Sequence, residues 1–241
     1  MKPVLLLSDL HLSAMRPAAA EAFHALMRGP ALDASAVYIL GDLFDWWLGD
    51  DQLDAPFARR VGESLRAVTE RGIPVYVARG NRDFLIGERF EKRTGARLLP
   101  EQHVVDLGGT PTLLMHGDEL CTGDVEYQRY RARMRSPEMR RRLLALPYLV
   151  RRLIAWYLRR KSRDANALKA ESIMDVSGSA VDDAFRRHAV ARMIHGHTHR
   201  PARHRHTVDG TARERIVLAD WHERGRYIKV DDAGIHECEI D

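Results

Sequence analysis

Five short motifs in the sequence carry side chains that can bind metal ions. They are Ser8-Asp9-Leu10-His11, Gly41-Asp42, Gly80-Asn81-Arg82-Asp83, Met115-His116-Gly117-Asp118 and Gly196-His197-Thr198-His199. The candidate metal ligands among them are Asp9, His11, Asp42, Asn81, His116, His197 and His199. A mixture of oxygen and imidazole donors suits Mn²⁺, Fe²⁺ or Zn²⁺ better than Ca²⁺ alone.

Seven candidate ligands are too many for one ion that keeps a position open for substrate. They fit two divalent ions that share a carboxylate. In phosphoryl chemistry such a pair, about 3.5–4 Å apart, holds the attacking and the leaving oxygen. The motifs therefore predict a two-metal centre that acts on phosphate esters or anhydrides.

Each motif also has an ordinary explanation when it is considered alone. The Asp-X-His pair could be a satisfied core or surface pair, and Gly41-Asp42 could be a turn. Asn81 could be a left-handed turn residue after Gly80, and His-Thr-His an exposed strand end. The joint occurrence of all five motifs in this order favours the metal centre.

A short apolar run precedes each motif, and we predict these runs to be buried strands. The runs are Val4–Leu7, Val37–Leu40, Pro74–Ala78, Thr112–Met115 and Met193–Ile194. In α/β sheets, ligands bind beyond the carboxyl ends of the strands. The strands therefore have to bring the motifs together at one edge of the structure.

Helical patterns alternate with these strands, and the end of the chain is rich in short strands. The predicted helices are Pro17–Arg28, Phe57–Glu70, Phe84–Thr94 and Ala180–His188. This order predicts a layered α/β fold in which two sheets pack between helices, as a single domain over residues 1–241. Residues 122–176 show no convincing strand, and we predict a helical insertion there, broken at Pro137 and Pro147.

Composition places the chain among ordinary globular proteins. It has 241 residues, of which 45% are hydrophobic and 30% charged. No apolar run reaches the roughly 18 residues of a spanning helix, and no signal peptide is evident at the start. Cys121 and Cys238 lack the spacing of a metal or redox motif, so we expect two unpaired thiols in a reducing cytosol.

The insertion is strongly basic. Residues 129–163 contain thirteen Lys or Arg and one acid, Glu138, so this stretch carries +12 while the whole chain carries +4. Leucines and aromatic residues alternate with the arginines, which is typical of a membrane-surface or acyl-binding helix. An ordinary helical cap with a solvated basic face explains the same pattern. Nucleic acid is disfavoured because the apolar content is high for a surface that follows phosphates.

The ordered motifs resemble those of the calcineurin-like metallophosphoesterase superfamily over residues 4–200. Further motifs extend the resemblance to nearly the whole chain and to one family, the UDP-2,3-diacylglucosamine hydrolases. They are Gly80-Asn81-Arg82-Asp83-Phe84, Tyr127, Ile173-Met174-Asp175-Val176 and Ile194-His195-Gly196-His197-Thr198-His199-Arg200-Pro201. The resemblance implies a four-layer αββα sandwich with a helical cap.

The resemblance also assigns the ligands and the reaction. It implies that Asp9, His11, Asp42 and His199 hold a first metal ion and that Asp42, Asn81, His116 and His197 hold a second, most readily Mn²⁺. The implied reaction is cleavage of the pyrophosphate of UDP-2,3-diacylglucosamine to UMP and 2,3-diacylglucosamine 1-phosphate, in lipid A biosynthesis. The implied location is the cytoplasmic face of the bacterial inner membrane, as a peripheral protein.

Catalytic and substrate-binding roles follow from the same resemblance. The implied catalytic residues are Asp42, Asn81, Arg82 and His116. The implied substrate contacts are Asn81, Arg82, Asp124, Ser162, Asn166, Lys169 and His197. Tyr127 is a candidate lid residue that core packing explains equally well.

Many superfamily members carry His at the position of Arg82. A guanidinium cannot act as a general acid near neutral pH, but it can hold phosphate oxygens, which favours a leaving group that needs no proton.

Four further histidines and two further functions complete the expectations. His195 lies inside an apolar strand and is expected in the core or behind the ligands. His204, His206 and His222 are expected in solvent, although His222 could lie near the site. The alternative functions are a soluble nucleotide pyrophosphatase or phosphodiesterase on the same scaffold, and a metal-free binding scaffold. The sequence leaves the oligomeric state open and favours a monomer.

Overall fold

The computed structural model describes residues 2–166, 175–222 and 224–240, without the side chains of residues 159 and 161–166. The strands are β1 (Val4–Leu7), β2 (Ala36–Leu40), β3 (Val75–Ala78), β4 (Arg97–Leu98), β5 (Gln102–Leu107), β6 (Thr110–Met115), β7 (Arg192–His195), β8 (Ala202–Val208), β9 (Thr211–Val217), β10 (Gly225–Asp231) and β11 (Gly234–Ile240). The α-helices are α1 (Pro17–Arg28), α2 (Pro56–Thr69), α3 (Glu88–Thr94), α4 (Val125–Arg135), α5 (Pro137–Leu144), α6 (Tyr148–Asn166) and α7 (Gly178–His188).

The strands form two sheets. The first has the order β11-β10-β1-β2-β3-β4, in which β1 to β4 run parallel and β10 pairs antiparallel with β1. The second has the order β5-β6-β7-β9-β8, with β6, β7 and β9 parallel to one another. All five strands that precede the motifs are parallel members of these two sheets.

Side chains of successive strand residues point to opposite faces, and this alternation separates three apolar cores. Leu5 and Leu7 of β1 pack with α1 and α2 on the outer face of the first sheet. Leu6 points the other way and packs between the sheets, in the same cluster as Ile194. On the outer face of the second sheet, Met193 packs against Phe185 of α7 and its neighbours.

The predicted αββα sandwich is thereby confirmed. Because both faces of each sheet are covered, their central strands are continuous apolar runs rather than alternating ones. The runs are 4–7, 36–40 and 112–115, and within them only residue 4 is not buried.

Two local predictions for the segment after residue 83 are wrong. The third predicted helix starts at Glu88 rather than at Phe84, and the short strand β4 was not expected. The carboxylate of Asp50 accepts hydrogen bonds from the N–H groups of Gly87 (3.0 Å) and Phe90 (3.0 Å) and so sets the start of α3. This cap comes from a residue far away in sequence, which local patterns do not reveal.

The insertion is mainly helical over residues 122–166, and its helices are separated at the two prolines, as predicted. Pro137 is the first residue of α5, where the missing proline N–H costs no hydrogen bond, and Pro147 lies directly before α6. Its arginines do not all face solvent. Arg131 and Arg135 form ion pairs with the buried Asp118, and Arg151 forms one with Asp51, so acids of the core neutralise part of the predicted positive field.

Two further expectations concern the membrane and the cysteines. Within the described residues, no helix combines the length and the apolar character needed to cross a bilayer.

Cys121 and Cys238 are both free thiols, as expected, and Cys121 is buried. Burial raises the pKa of the Cys121 thiol to about 12, so this side chain is protonated and unreactive at neutral pH.

His24 is a buried imidazole at the contact between α1 and α2. Its side chain is 3% exposed, and its Nδ1 lies 2.7 Å from the Ser64 hydroxyl oxygen. Burial lowers the pKa of His24, and the nearby Arg60 lowers it further. The folded protein therefore disfavours protonation of His24 relative to the unfolded chain.

We predict that His24→Gln makes the stability of the protein less sensitive to acid. A group whose pKa is depressed on folding lets the unfolded state bind more protons, so wild-type stability falls as pH drops below about 6.5. Urea unfolding between pH 7.5 and 5 measures the free energy of unfolding. This free energy should fall more steeply with decreasing pH for wild type than for His24→Gln. The difference in slope is at most about 1.4 kcal/mol per pH unit, which is the limit for one proton. Parallel curves for the two proteins would contradict the prediction.

Candidate metal centre

The five motif loops meet at the carboxyl ends of β1, β2, β3, β6 and β7. Backbone hydrogen bonds join them directly. The N–H of Asp9 donates to the carbonyl of Gly41 (3.1 Å), and the N–H of His11 donates to that of Asp42 (2.9 Å). Within the second sheet, the N–H of Gly196 donates to the carbonyl of His116 (2.9 Å). Backbone hydrogen bonds therefore fix the loops of neighbouring strands relative to one another.

Asp9, His11 and His199 form a first group of donors. The Nε2 atoms of His11 and His199 are 3.3 Å apart, and His199 Nε2 lies 3.4 Å from Asp9 Oδ1. With metal–nitrogen bonds of about 2.1 Å, two ligand atoms on one ion lie about 3.0–3.4 Å apart. Asp42 adjoins this group, with Oδ2 at 3.8 Å from His11 Nδ1.

Asn81, His116 and His197 form a second group of donors. Asn81 Oδ1 lies 3.0 Å from His116 Nε2 and 3.1 Å from His197 Nδ1. The other carboxylate oxygen of Asp42, Oδ1, lies 3.9 Å from His116 Nε2. Asp42 thus directs one oxygen toward each group, which is the arrangement expected of a carboxylate shared by two ions.

The hydrogen bonds of His116 leave a lone pair in this second group. Its Nδ1 lies 2.9 Å from the Leu40 carbonyl, which can only accept, so Nδ1 carries a proton. In the neutral ring, Nε2 is then an acceptor that faces the acceptor oxygen of Asn81. Two lone pairs directed at each other require a cation or a proton between them.

Buried polar atoms without partners support the same conclusion. Asp9 Oδ1 and His11 Nδ1 are buried and have no hydrogen-bond partner among the described residues. Buried polar atoms in native structures are nearly always paired, by protein, water or an ion. Together with the donor distances, this shows that the residues present fit two divalent cations.

Most of the candidate ligands have a strained backbone. Positive φ angles are rare in residues other than glycine and cluster at functional sites. Five of the seven candidate ligands have φ between 48° and 70°: Asp9, His11, Asp42, His197 and His199. These strained conformations persist because the strands on either side fix the loops. The loops in turn fix the positions of the donor side chains.

Two motif glycines make room for the carboxylates. A side chain at Gly80 would overlap the Asp42 carboxylate, and one at Gly196 would overlap the Asp9 carboxylate and the Ser8 hydroxyl group. Their presence directly before Asn81 and His197 therefore has a steric cause. Any larger residue would push apart the loops that meet here.

Burial dominates the electrostatics of the centre. It raises the pKa of Asp42 to about 7, against the attraction of His116. It also lowers the pKa of His197 to about 4 and that of His11 to about 2, which keeps both imidazoles neutral. Neutral imidazole is the form that binds metal ions.

His199 is the exception, because a carboxylate holds its outer nitrogen. Nδ1 of His199 lies 3.1 Å from Asp220 Oδ2, which leaves Nε2 facing Asp9 and His11. Burial lowers the pKa of His199, but the neighbouring carboxylates of Asp220 and Asp9 outweigh burial and raise that pKa to about 10. A carboxylate behind a ligating histidine fixes its ring orientation and raises its basicity toward a metal.

Arg82 lies at the open side of the centre. Its Nη1 is 3.0 Å from Asp45 Oδ1, and its Nε is 3.6 Å from Asp42 Oδ2. Its backbone N–H donates to Asp42 Oδ1 (2.9 Å). The side chain is 36% exposed, so the guanidinium borders both the shared carboxylate and solvent.

Comparison with known proteins identifies the family. A model of the calcineurin-like phosphoesterase family matches residues 2–201. The UDP-2,3-diacylglucosamine hydrolase of Edwardsiella ictaluri (strain 93-146) is 46% identical over 237 residues, which are 98% of this chain and 91% of that protein. The enzyme of the same name from Yersinia pseudotuberculosis serotype O:1b (strain IP 31758) is 46% identical over 226 residues, 94% of each chain.

The chain belongs to the UDP-2,3-diacylglucosamine hydrolase family of calcineurin-like phosphoesterases. The predictions of the family, of a hydrolase and of the fold are therefore confirmed. Similarity to solved structures is weaker: an archaeal phosphodiesterase covers 99% of both chains, with 12% identity and a TM-score of 0.47. This identity and this TM-score are too low to support an argument.

The remaining predicted substrate contacts are either part of the cap or outside the described residues. Asp124 is the N-cap of α4, where its Oδ1 accepts the N–H of Tyr127 (3.0 Å). Lys169 and the side chains of Ser162 and Asn166 lie outside the described residues. Only Asn81, Arg82 and His197 of the predicted substrate contacts are therefore seen at the centre.

Tyr127 joins the cap to the centre of the hydrolase. Its hydroxyl donates to Asp118 (2.9 Å), and its ring stacks on that of His197, with centroids 6.1 Å apart and planes at 21°. Asp118 also accepts hydrogen bonds from Arg131 (2.9 Å) and Arg135 (2.8 Å). This cluster explains the partly buried position of Tyr127.

Sequence patterns missed two carboxylates that organise the centre. Asp83 is fully buried and accepts the N–H groups of Gly80 (2.7 Å) and Leu43 (2.8 Å), so it holds two motif loops together. Its position two residues after Asn81 was the available signal. Asp220 follows β9 and has no local signal, because only the fold brings it to His199.

Among the further histidines with predicted positions, His195 and His222 lie where they were expected, whereas His206 of β8 does not. His195 is fully buried, donates from Nδ1 to the Gly196 carbonyl (2.9 Å) and accepts from Arg215 (3.2 Å), so it is not a ligand. The ring of His222 lies 5.9 Å from that of His199, so it borders the site. His206 is half-buried against Phe185, so the expectation of a solvated side chain is wrong for it.

We predict that Asp220→Ala weakens metal binding without unfolding the protein. Loss of the carboxylate frees the His199 ring to turn and lowers its basicity, which costs about 10–100-fold in affinity at comparable sites. Competition with a fluorescent chelator would measure Mn²⁺ affinity, and the control Asp183→Ala changes an exposed aspartate on α7. Equal Mn²⁺ affinities in the two variants would show that Asp220 does not support the centre.

Proposed function

We propose that the protein hydrolyses the pyrophosphate bond of UDP-2,3-diacylglucosamine to UMP and 2,3-diacylglucosamine 1-phosphate, a step of lipid A biosynthesis. The observation that carries the proposal is the position of Asp42 between two groups of donors, with Arg82 beside it. The 46% identity to hydrolases of this name covers the cap as well as the centre.

The residues divide between two metal ions. Asp9, His11, Asp42 and His199 would hold one ion, and Asp42, Asn81, His116 and His197 the other. When bound, two divalent ions, most readily Mn²⁺, supply Lewis acidity that activates a water and balances charge on phosphate oxygens. The buried donors keep this chemistry away from bulk solvent and fix its orientation.

Arg82 explains the preference for a pyrophosphate. Its guanidinium is permanently charged and borders the centre, so it can hold phosphate oxygens and offset negative charge in the transition state. It cannot give up a proton to a leaving group. A leaving nucleotide or sugar phosphate needs no proton, whereas an alkoxide does, so Arg82 favours anhydrides over simple esters.

The cap supplies apolar surface for the acyl chains and for a membrane. Along α6, four large apolar side chains lie on one face and are strongly exposed: Leu149 (62%), Leu153 (67%), Trp156 (56%) and Tyr157 (62%). Spacings of four, three and one residues place them together on the helix. We propose that the protein lies in the cytoplasm and binds the inner membrane peripherally through this cap.

We predict that the purified protein with Mn²⁺ releases UMP from UDP-2,3-diacylglucosamine. Asn81→Ala should abolish this release, because it removes a ligand of the proposed second ion. Arg82→Ala should lower kcat by about 10²–10³-fold, the usual cost of losing a donor to developing negative charge. Arg93→Ala, on the exposed surface of α3, is the matched control.

Strong hydrolysis of bis(p-nitrophenyl) phosphate together with no release of UMP would overturn the proposed substrate. It would favour the soluble phosphodiesterase instead. Full activity of Asn81→Ala would overturn the proposed ligand set.

We predict that Leu149→Glu and Leu153→Glu each weaken binding to vesicles of phosphatidylethanolamine and phosphatidylglycerol. A glutamate at either position has to remain hydrated and is repelled by the anionic surface. Sedimentation with vesicles measures the bound fraction. Met15→Glu, which changes an exposed apolar residue outside the cap, should bind like wild type. Equal binding by all four proteins would argue against the cap as the membrane contact.

A further inference from the structure

A small cavity lies at the joint between the cap and the core, apart from the donor groups of the metal centre. Its volume is about 50 Å³. The core contributes residues from the loops that flank Asn81 and from the strand region after α3, and the cap contributes two arginines. The lining residues are Arg79, Phe84, Leu99, Glu101, Arg135 and Arg140.

Two guanidinium groups converge at this cavity. Nε of Arg79 and Nη2 of Arg140 both donate to the carbonyl of Ile86, at 2.7 and 3.3 Å. Among the described residues, neither guanidinium forms an ion pair with a carboxylate within 4.0 Å. Nε of Arg140 is buried and has no hydrogen-bond partner among those residues. A buried donor of this kind is rare unless water or an ion occupies the adjoining space.

The nearby acids are engaged elsewhere. Glu101 accepts hydrogen bonds from Arg131 (2.8 Å) and Arg135 (2.9 Å). Asp50 accepts the N–H groups at the start of α3. Burial lowers the pKa values of Arg79 and Arg140, while the carboxylate of Asp50 attracts both guanidinium groups. The lining itself carries three guanidinium groups against one carboxylate, that of Glu101, and Nε of Arg140 is an unused donor.

We propose that this cavity binds a small tetrahedral oxyanion, inorganic phosphate or sulfate, between Arg79 and Arg140. Guanidinium groups match the oxygens of such anions and hold them by paired hydrogen bonds. One water needs about 10–15 Å³ of such space, so the cavity has room for a few waters or one small oxyanion and none for a nucleotide. The site is independent of the substrate that the metal centre hydrolyses.

Such an anion would join the cap to the catalytic loop. Arg79 directly precedes Gly80 and Asn81, and Arg140 lies on α5 of the cap. An anion held by both would offset their repulsion and stabilise the docked cap. The predicted consequence is a folded state whose stability depends on phosphate concentration.

Arg140→Gln and Arg142→Gln form a matched pair that tests the site. Both lie on α5, but Arg142 is 69% exposed and pairs with Glu138. Thermal unfolding of the Mn²⁺-loaded protein would be followed while phosphate replaces chloride at constant ionic strength. Wild type and Arg142→Gln should be stabilised alike, whereas Arg140→Gln should need about 10-fold more phosphate for the same shift. Arg79→Gln, from the core side, should behave like Arg140→Gln.

Both variants retain the metal centre, so any phosphate bound there contributes equally and cancels in the comparison. UMP, which is too large for the cavity, should shift the midpoints of Arg140→Gln and Arg142→Gln equally. Equal phosphate responses in all four proteins would overturn the site. The site would also be overturned if Arg140→Gln reduced the shift of the unfolding midpoint caused by UMP more than the shift caused by phosphate.

Discussion

The buried carboxylate of Asp42 is the constraint on which the rest of the centre depends. It is 1% exposed, and taking a carboxylate out of water costs several kcal/mol unless charges compensate. Among the described residues, the Arg82 N–H donates to Oδ1 at 2.9 Å, Arg82 Nε lies 3.6 Å from Oδ2, and the nearest imidazole nitrogens are 3.8–3.9 Å away. This incomplete compensation raises the pKa of Asp42 and prepares the site for cations.

The centre spans both sheets, so the core between them controls its geometry. Asp9, Asp42 and Asn81 follow strands of the first sheet, whereas the candidate histidine ligands after β6 and β7 follow strands of the second. Buried side chains such as Leu6 and Ile194 set the separation of the sheets. Because protein interiors are close-packed, a volume change in this layer would move one donor group relative to the other.

The cap is attached to the core by charge pairs and by the apolar packing of Leu143 and its neighbours. Arg131 and Arg135 of α4 meet Asp118, two residues after His116, and Arg151 of α6 meets Asp51. These pairs leave the large apolar side chains of α6 facing outward. The same segment can therefore be held firmly on the core and still present apolar surface to a lipid.

Local patterns in the sequence determined the strands, the breaks at Pro137 and Pro147, and the donor residues that the fold brings together. These features depend on neighbours in the chain: apolar runs, missing N–H groups and glycines beside ligands. The tertiary structure alone decided that α3 begins at Glu88, that Asp220 supports His199, and that Arg131 and Arg135 of α4 turn inward. The physical reason is that each of these features depends on a partner many residues away. Composition gives the number of charged residues in a segment, but it does not say which of their side chains face the core and which face solvent.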